Sequence, residues 1–372
     1  MTHNKPCILV LSNDWGGLYS FRKEVFQAFF ENGYEVVISC PMEEKSKNKA
    51  DWFKNIGCKI INTPFNRKGT NPYADYKLMQ KYKNLIKQIN PVAVLTYTIK
   101  PNLYGGMACA LCGVPQIANI TGLGAAVEYP GLMQKLTIGL YRLGLRKTQL
   151  VFFQNDANRQ FCISRRMVKG KTKLIPGSGV NLTYHNYKEF PSEDEPIRFI
   201  FISRIRREKG IDEYLAAAEA LHEKYNTEFH VVGPCEDDYV GRLKALDKKG
   251  TIIFHGEQSD VRPFIARAHC MVHPSFYPEG MSNVLLESCA AGRPIITTDR
   301  SGCREIVDCG VNGFIVNQKD TRDTIAKVEQ FILLPYEQKK AMGIASRKKV
   351  EKEFDRQIVI DAYLEAVKHL TK

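Results

Sequence analysis

A chain of 372 residues exceeds what one compact core usually serves and points to two domains of ordinary size. With 44% hydrophobic and 25% charged residues the composition is globular, which excludes extensive disorder. No apolar run reaches the roughly 18–20 residues needed to span a bilayer. A formal charge of +13 favours anionic partners, namely nucleotide phosphates, anionic lipids or nucleic acid, without choosing among them.

The opening MTHNKPCILVLSN has a short apolar stretch but no secretory n-region or cleavage site, so it reads as a buried first strand of a cytoplasmic protein. Further strands are expected at Glu35–Ser39, Lys59–Thr63, Ala93–Tyr97, Gln116–Ile120 and Leu150–Gln154. Helices are expected between them, among others at Phe21–Glu31, Lys77–Gln88 and Leu103–Leu111. Such alternation specifies a parallel sheet covered on both faces. Cys109 and Cys112 form the one C-x-x-C among eleven cysteines; without a second pair at zinc spacing, reduced and buried thiols are the reading. Turn formers and polar residues crowd 177–196, which marks a linker between a first domain at 1–176 and a second at 197–355. A second alternating series fills the latter, with strands at Arg198–Ser203, Glu228–Val232, Thr251–His255, Cys270–Pro274, Pro294–Thr298 and Gly313–Val316. The helix at 356–372 can pack on either domain. The expected fold is α/β, two Rossmann-like domains whose strand ends face a central cleft. The basic residues are dispersed and no zinc-finger or RNA-binding signature accompanies them, so nucleic acid is not an expected partner.

The segment HPSFYPEGMSNVLLESCAAGRPIITTD, His273 to Asp299, carries the most chemistry. A strand ends, a loop presents Glu279 and Gly280, and a helix begins near Ser282 and Asn283, both good caps. Amides at that helix start suit a phosphate or a sugar hydroxyl. Glu279 and Glu287, eight apart, can accept hydrogen bonds from sugar and ribose hydroxyls. This strand, Glu-Gly loop, capped helix and second glutamate resemble the E-x7-E signature of retaining glycosyltransferase family 4, a GT-B group. The resemblance extends over nearly the whole chain.

In FISRIRREKGID it places Arg204 and Lys209 on the positions that neutralise the donor diphosphate, whose departure builds negative charge that fixed cations stabilise. Arg206 and Arg207 read as surface charges. Glu279 would position the sugar, Glu287 would hold the ribose, and Gly280, Met281, Ser282 and Asn283 would line the donor site. FHGEQSDV resembles the loop contacting the base, through backbone near Gly256, Glu257 and Gln258. Gly302 and Glu305 fall in a downstream family segment. Gly16 and Gly17 follow the first strand, where a ligand can approach the backbone; the run is not the dinucleotide fingerprint. The continuation to Arg22, with IKPNLYG and NITGLG, resembles bacterial enzymes that build polyprenyl-diphosphate-linked oligosaccharides for capsule, O-antigen or N-glycan precursors. Lys100, Asn102, Asn119 and Thr121 would then be acceptor- or sugar-side residues. One departure stands: many family members place a histidine near the donor sugar, and here no histidine lies between His3 and His185.

Residues 131–149 mix Leu, Ile and Tyr with Lys135, Arg142, Arg146 and Lys147, a basic amphipathic element able to lie on anionic lipid. The resemblance implies transfer from a UDP-sugar, with UDP-GlcNAc or UDP-GalNAc preferred, to a lipid-linked acceptor at the inner face of the cell membrane. It also implies retention of anomeric configuration by a front-face route, with no cofactor and no metal. A UDP-sugar 2-epimerase of similar fold and a non-catalytic basic binding protein are the alternatives.

Overall fold

The computed structural model describes residues 5–67, 69, 71–124, 127–128, 130–235 and 237–371. The chain divides into two compact units, Met1–Ser178 with Gln357–Lys372, and Gly179–Arg356.

In the first unit, seven parallel strands are β1 (Cys7–Leu11), β2 (Glu35–Cys40), β3 (Lys59–Asn62), β4 (Ala93–Tyr97), β5 (Gln116–Ile120), β6 (Leu150–Phe153) and β7 (Lys171–Leu174). Their spatial order is β3-β2-β1-β4-β5-β6-β7, so the direction of winding reverses between β1 and β4. Helices α1 (Trp15–Glu31), α2 (Lys47–Asn55), α3 (Pro72–Ile89), α4 (Gly106–Cys112), α5 (Leu132–Gly144) and α6 (Asp156–Ser164) connect them. Ile8, Leu9, Val10 and Leu11 are wholly buried, as a strand covered on both faces requires.

Helix α1 starts six residues earlier than the apolar pattern predicts. The Asp14 carboxylate accepts the Gly16 and Gly17 N–H groups at 3.1 Å each, and this cap draws both glycines into the first turn. Strand β7, KTKL, was not expected; it is a largely exposed sheet edge in which lysines alternate, so it lacks the apolar run that betrays an inner strand.

The second unit holds β8 (Ile197–Ile202), β9 (Thr227–Val232), β10 (Ile253–Phe254), β11 (Cys270–His273), β12 (Ile295–Thr298) and β13 (Gly313–Val316), all parallel, in the order β10-β9-β8-β11-β12-β13. Its helices are α7 (Ile211–Leu221), α8 (Asp237–Lys248), α9 (Arg262–Arg267), α10 (Asn283–Ala290), α11 (Thr321–Leu333) and α12 (Tyr336–Glu353). Here the winding reverses between β8 and β11. The last helix, α13 (Arg356–Thr371), belongs to the first unit from Gln357 onward and buries Val359, Tyr363 and Val367 in its core.

The segment read as a linker is tied down at several points. The fully buried Arg293 donates to the carbonyls of Lys188 and Glu189 at 3.2 and 2.8 Å, and the Val180 N–H donates to Phe354 O at 2.8 Å. Turn-forming residues supply here the carbonyls that a buried guanidinium needs. Among the described residues no helix is long and apolar enough to cross a membrane.

Candidate active site

In open parallel sheets, ligands bind beyond the carboxyl ends of the strands, at the point where winding reverses. In the second unit that point lies between β8 and β11, and the loops leaving those two strands carry Arg204–Lys209 and Pro274–Ser282. Sequence reasoning located both segments; the structure joins them. Lys209, 9% exposed, donates a short hydrogen bond through Nζ to Glu279 Oε1, across seventy residues of chain, and its ammonium also lies 4.6 Å from the centre of the Tyr277 ring. The Phe276 N–H reaches Glu208 O at 3.0 Å, stitching the loops together.

Gly210 makes this approach possible. It adopts φ +83°, and a β-carbon there would lie 2.3 Å from Pro274 O. Only glycine meets both conditions.

Glu279 sits in a charged, largely dry corner. Burial pushes its carboxyl up, but the approach of His273 and the charge of Lys209 outweigh that and hold it at about 2. It is therefore ionised at neutral pH. His273, at the end of β11, places Nε2 3.8 Å from Glu279 Oε1, too far for a hydrogen bond, and neither ring nitrogen has a hydrogen-bond partner. Burial lowers the imidazole's affinity for a proton, so it is neutral. Asn283 Oδ1, in the first turn of α10, is likewise buried without a partner. Ser282 occupies the cap position of α10 without a capping bond from its side chain. Buried polar atoms without partners are uncommon in native proteins, and at the mouth of a candidate site they are consistent with a catalytic or ligand-binding role. Sequence reasoning did not single out His273; its position at the end of an apolar strand and before the Glu-Gly loop was the available signal.

The floor of this loop is rigid. Ser282 N–H donates to Gly302 O at 2.7 Å, and Gly302 N–H donates to Glu305 Oε2 at 2.7 Å. Gly280 and Met281 are buried on it. Arg204, by contrast, is exposed and makes no ion pair among the described residues, which leaves its charge available. Arg206 lies 3.8 Å from Glu208, an ordinary surface pair. Gly256 follows β10 with φ +66°, its carbonyl accepting the Gly233 N–H at 2.8 Å, and Glu257 is exposed beside it.

Glu287 lies in the second turn of α10, 3.9 Å from His185 Nε2. Burial raises its carboxyl to about 7, although the charge of Arg356 pulls the other way. A carboxyl raised above its ordinary 4.5 disfavours folding as pH climbs from about 4.5 to 7, because the unfolded chain ionises first. Glu287→Gln is therefore expected to stabilise the protein at pH 8 by up to about 3 kcal/mol and to change little at pH 4. Thermal unfolding at the two pH values measures this; an equal shift at both would remove the assignment.

In the first unit the reversal lies between β1 and β4. Gly16 and Gly17 follow β1, but their amides are held by Asp14 rather than open to a ligand. Arg22 is buried, with its guanidinium 5.5 and 5.8 Å from the ring centres of Tyr97 and Tyr363. Asn102 accepts from Thr96 Oγ1 at 2.7 Å and donates to Asn119 O at 2.9 Å; Asn119 Nδ2 donates to Tyr363 Oη at 2.5 Å. These three therefore make structural contacts inside the unit. Lys100 pairs with Asp75 at 2.6 Å, and Thr121 is exposed at the end of β5. Thr98, just past β4, holds φ +72°, a strained value for a β-branched residue, and its hydroxyl is buried without a partner.

Two family models match these two units. Residues 8–155 match Glycosyl transferase 4-like and residues 185–349 match Glycosyl transferases group 1. The chain is a GT-B glycosyltransferase. It is 24% identical, over 97% of its length and 98% of the relative's, to N,N'-diacetylbacillosaminyl-diphospho-undecaprenol alpha-1,3-N-acetylgalactosaminyltransferase of Campylobacter jejuni. A Rickettsia africae glycosyltransferase has the same fold, with a TM-score of 0.82 at 19% identity and full coverage of both chains. Anabaena HepE in complex with UDP superposes with a TM-score of 0.79 at 16% identity, covering 98% of the transferase and 100% of HepE. The matched segment of the second unit contains the whole Lys209–Glu279–Glu287 constellation.

Proposed function

We propose that this transferase moves a sugar from a UDP-sugar, with UDP-GalNAc or UDP-GlcNAc preferred, onto a saccharide carried by a polyprenyl diphosphate. The observation that carries the reading is the largely buried Lys209–Glu279 pair at the winding reversal of the second sheet, on the same β8 loop as Arg204, which makes no ion pair among the described residues. The full-length likeness to the Campylobacter enzyme supports the donor sugar and the lipid-linked acceptor.

In this reading Lys209 and Arg204 face the diphosphate and stabilise the charge that develops as it leaves. They supply the positive charge for which other transferases use a metal, so no metal enters the reaction. Glu279 fixes the sugar hydroxyls and Glu287 the ribose. The acceptor oxygen forms its bond to the anomeric carbon on the face from which the β-phosphate oxygen departs. That oxygen takes the acceptor's proton, and configuration is retained.

The acceptor brings the enzyme to the inner face of the membrane. Helix α5 is suited to this, with Leu132, Met133, Leu136 and Leu143 exposed beside Lys135 and Arg146. Calorimetry of the full chain against UDP, GDP, ADP and UDP-sugars tests the donor assignment. Selective binding of UDP and one UDP-sugar is the expected result; equal indifference to all nucleotides would overturn it. Conversion of a UDP-sugar without any acceptor would favour an epimerase instead.

A further inference from the structure

A cavity of 360 Å³ opens in the first unit between the chain following β3, the first turns of α3 and Lys100 after β4. Phe65 and Leu78 give it an apolar lining, and the side chains of Lys77, Lys81 and Lys100 border it. Lys77 and Lys81 stand one helical turn apart on α3, so they project on the same face. Both are exposed and neither makes an ion pair among the described residues.

The single lining carboxylate is already engaged. Asp75 Oδ1 accepts from Lys100 at 2.6 Å and Asp75 Oδ2 accepts from Tyr104 Oη at 2.8 Å, so both oxygens are committed within the wall. Two cations remain without a carboxylate partner among the described residues, Lys77 with its ammonium 4.3 Å from the centre of the Tyr73 ring at the margin of the cavity. That combination fits an anion with an apolar continuation, and fits a neutral saccharide or a bare nucleobase poorly. Tyr73 and Tyr76, exposed on the same first turns of α3, add the amphipathic rings that settle at a membrane's headgroup level.

We infer that this cavity binds the diphosphate of the isoprenoid-linked acceptor, with Lys77 and Lys81 on the phosphates and Phe65 and Leu78 against the first carbons of the lipid. This rests on the lipid-linked acceptor proposed above and adds where its charged junction is gripped. Lys100 is the positioning residue of the wall, held by Asp75 so that the two helical lysines are left to the ligand.

The test uses the full chain with farnesyl diphosphate, farnesol and inorganic pyrophosphate as probes, read by calorimetry. Farnesyl diphosphate is expected to bind, inorganic pyrophosphate at least tenfold more weakly, and farnesol without measurable heat. The double variant Lys77→Gln/Lys81→Gln is expected to lose about tenfold or more in farnesyl diphosphate affinity, since each lysine contributes a charge-assisted contact. Its UDP affinity should be unchanged, and an unfolding transition matching that of the wild type shows that the first unit folds. Asp75→Asn, which releases Lys100 toward the cavity, should bind farnesyl diphosphate more tightly. Undiminished affinity in the double variant, or pyrophosphate binding as tightly as farnesyl diphosphate, overturns the inference. Failure of the wild-type chain to bind UDP would instead count against the donor reading, and leaves the farnesyl diphosphate comparison interpretable by itself.

Discussion

Glu279→Gln is expected to lower the rate of sugar transfer by about 10²–10³-fold while UDP affinity falls only a few-fold. An oriented group that acts chiefly on the transferring sugar shows itself in kcat rather than in nucleotide binding. Its carboxylate is ionised because Lys209 pairs with it and His273 stands close by, after a strand and before a helix whose first turn offers the buried Oδ1 of Asn283. The variant also leaves Lys209, 9% exposed, without its carboxylate, and removing one member of a buried pair costs about 3–5 kcal/mol. Activity and unfolding must therefore be measured together, with kcat compared at a temperature where both proteins are folded. Unchanged turnover would remove Glu279 from the mechanism. Acid should mimic the loss. A carboxyl held near 2 stabilises the folded chain at neutral pH, and that contribution disappears as pH falls from about 4.5 toward 2.

Lys209→Met should weaken UDP binding and transfer together, each by about 10²-fold, because the ammonium is assigned to a diphosphate present in both the bound and the departing state. Its stability cost should resemble that of Glu279→Gln, since it strands the other charge. The pair Lys209→Met/Glu279→Gln supplies the decisive comparison. Once both charges are gone no uncompensated ion stays buried, so the double variant should be more stable than the sum of the two single losses predicts. Additive destabilisation in urea unfolding would show that the two side chains act independently and would dissolve the site as built here.

How much of this was legible in the amino-acid order depended on range. The Glu279–Glu287 spacing, the Arg204–Lys209 element and the strand–helix alternation are local patterns, and the first two appear beyond the carboxyl ends of the central strands β8 and β11. Patterns weaken where a local signal has two physical meanings. Gly16 and Gly17 suggested a loop open to a ligand, yet the preceding Asp14 caps a helix that contains them. Arg22, Asn102 and Asn119 carry polar groups of the kind that line sites, and here they contact Thr96, Tyr97, Tyr363 and backbone carbonyls inside the first unit, while Arg22 Nε and Asn119 Oδ1 stay buried without a hydrogen-bond partner. A residue's type states what bonds it can make and leaves open with whom.

By itself, then, the chain's order of residues determined two parallel α/β units, the motif loops at their strand ends and the class of reaction they serve, because period, caps and spacing act within a few residues. Only the tertiary structure decided that Lys209 meets Glu279, that His273 stands buried without a hydrogen-bond partner beside them, and that Lys77, Lys81 and Lys100 converge on one cavity. Those contacts join positions far apart in the chain or divide polar groups between burial and solvent. Their energies depend on distance and desolvation, which exist only once the sheets have formed.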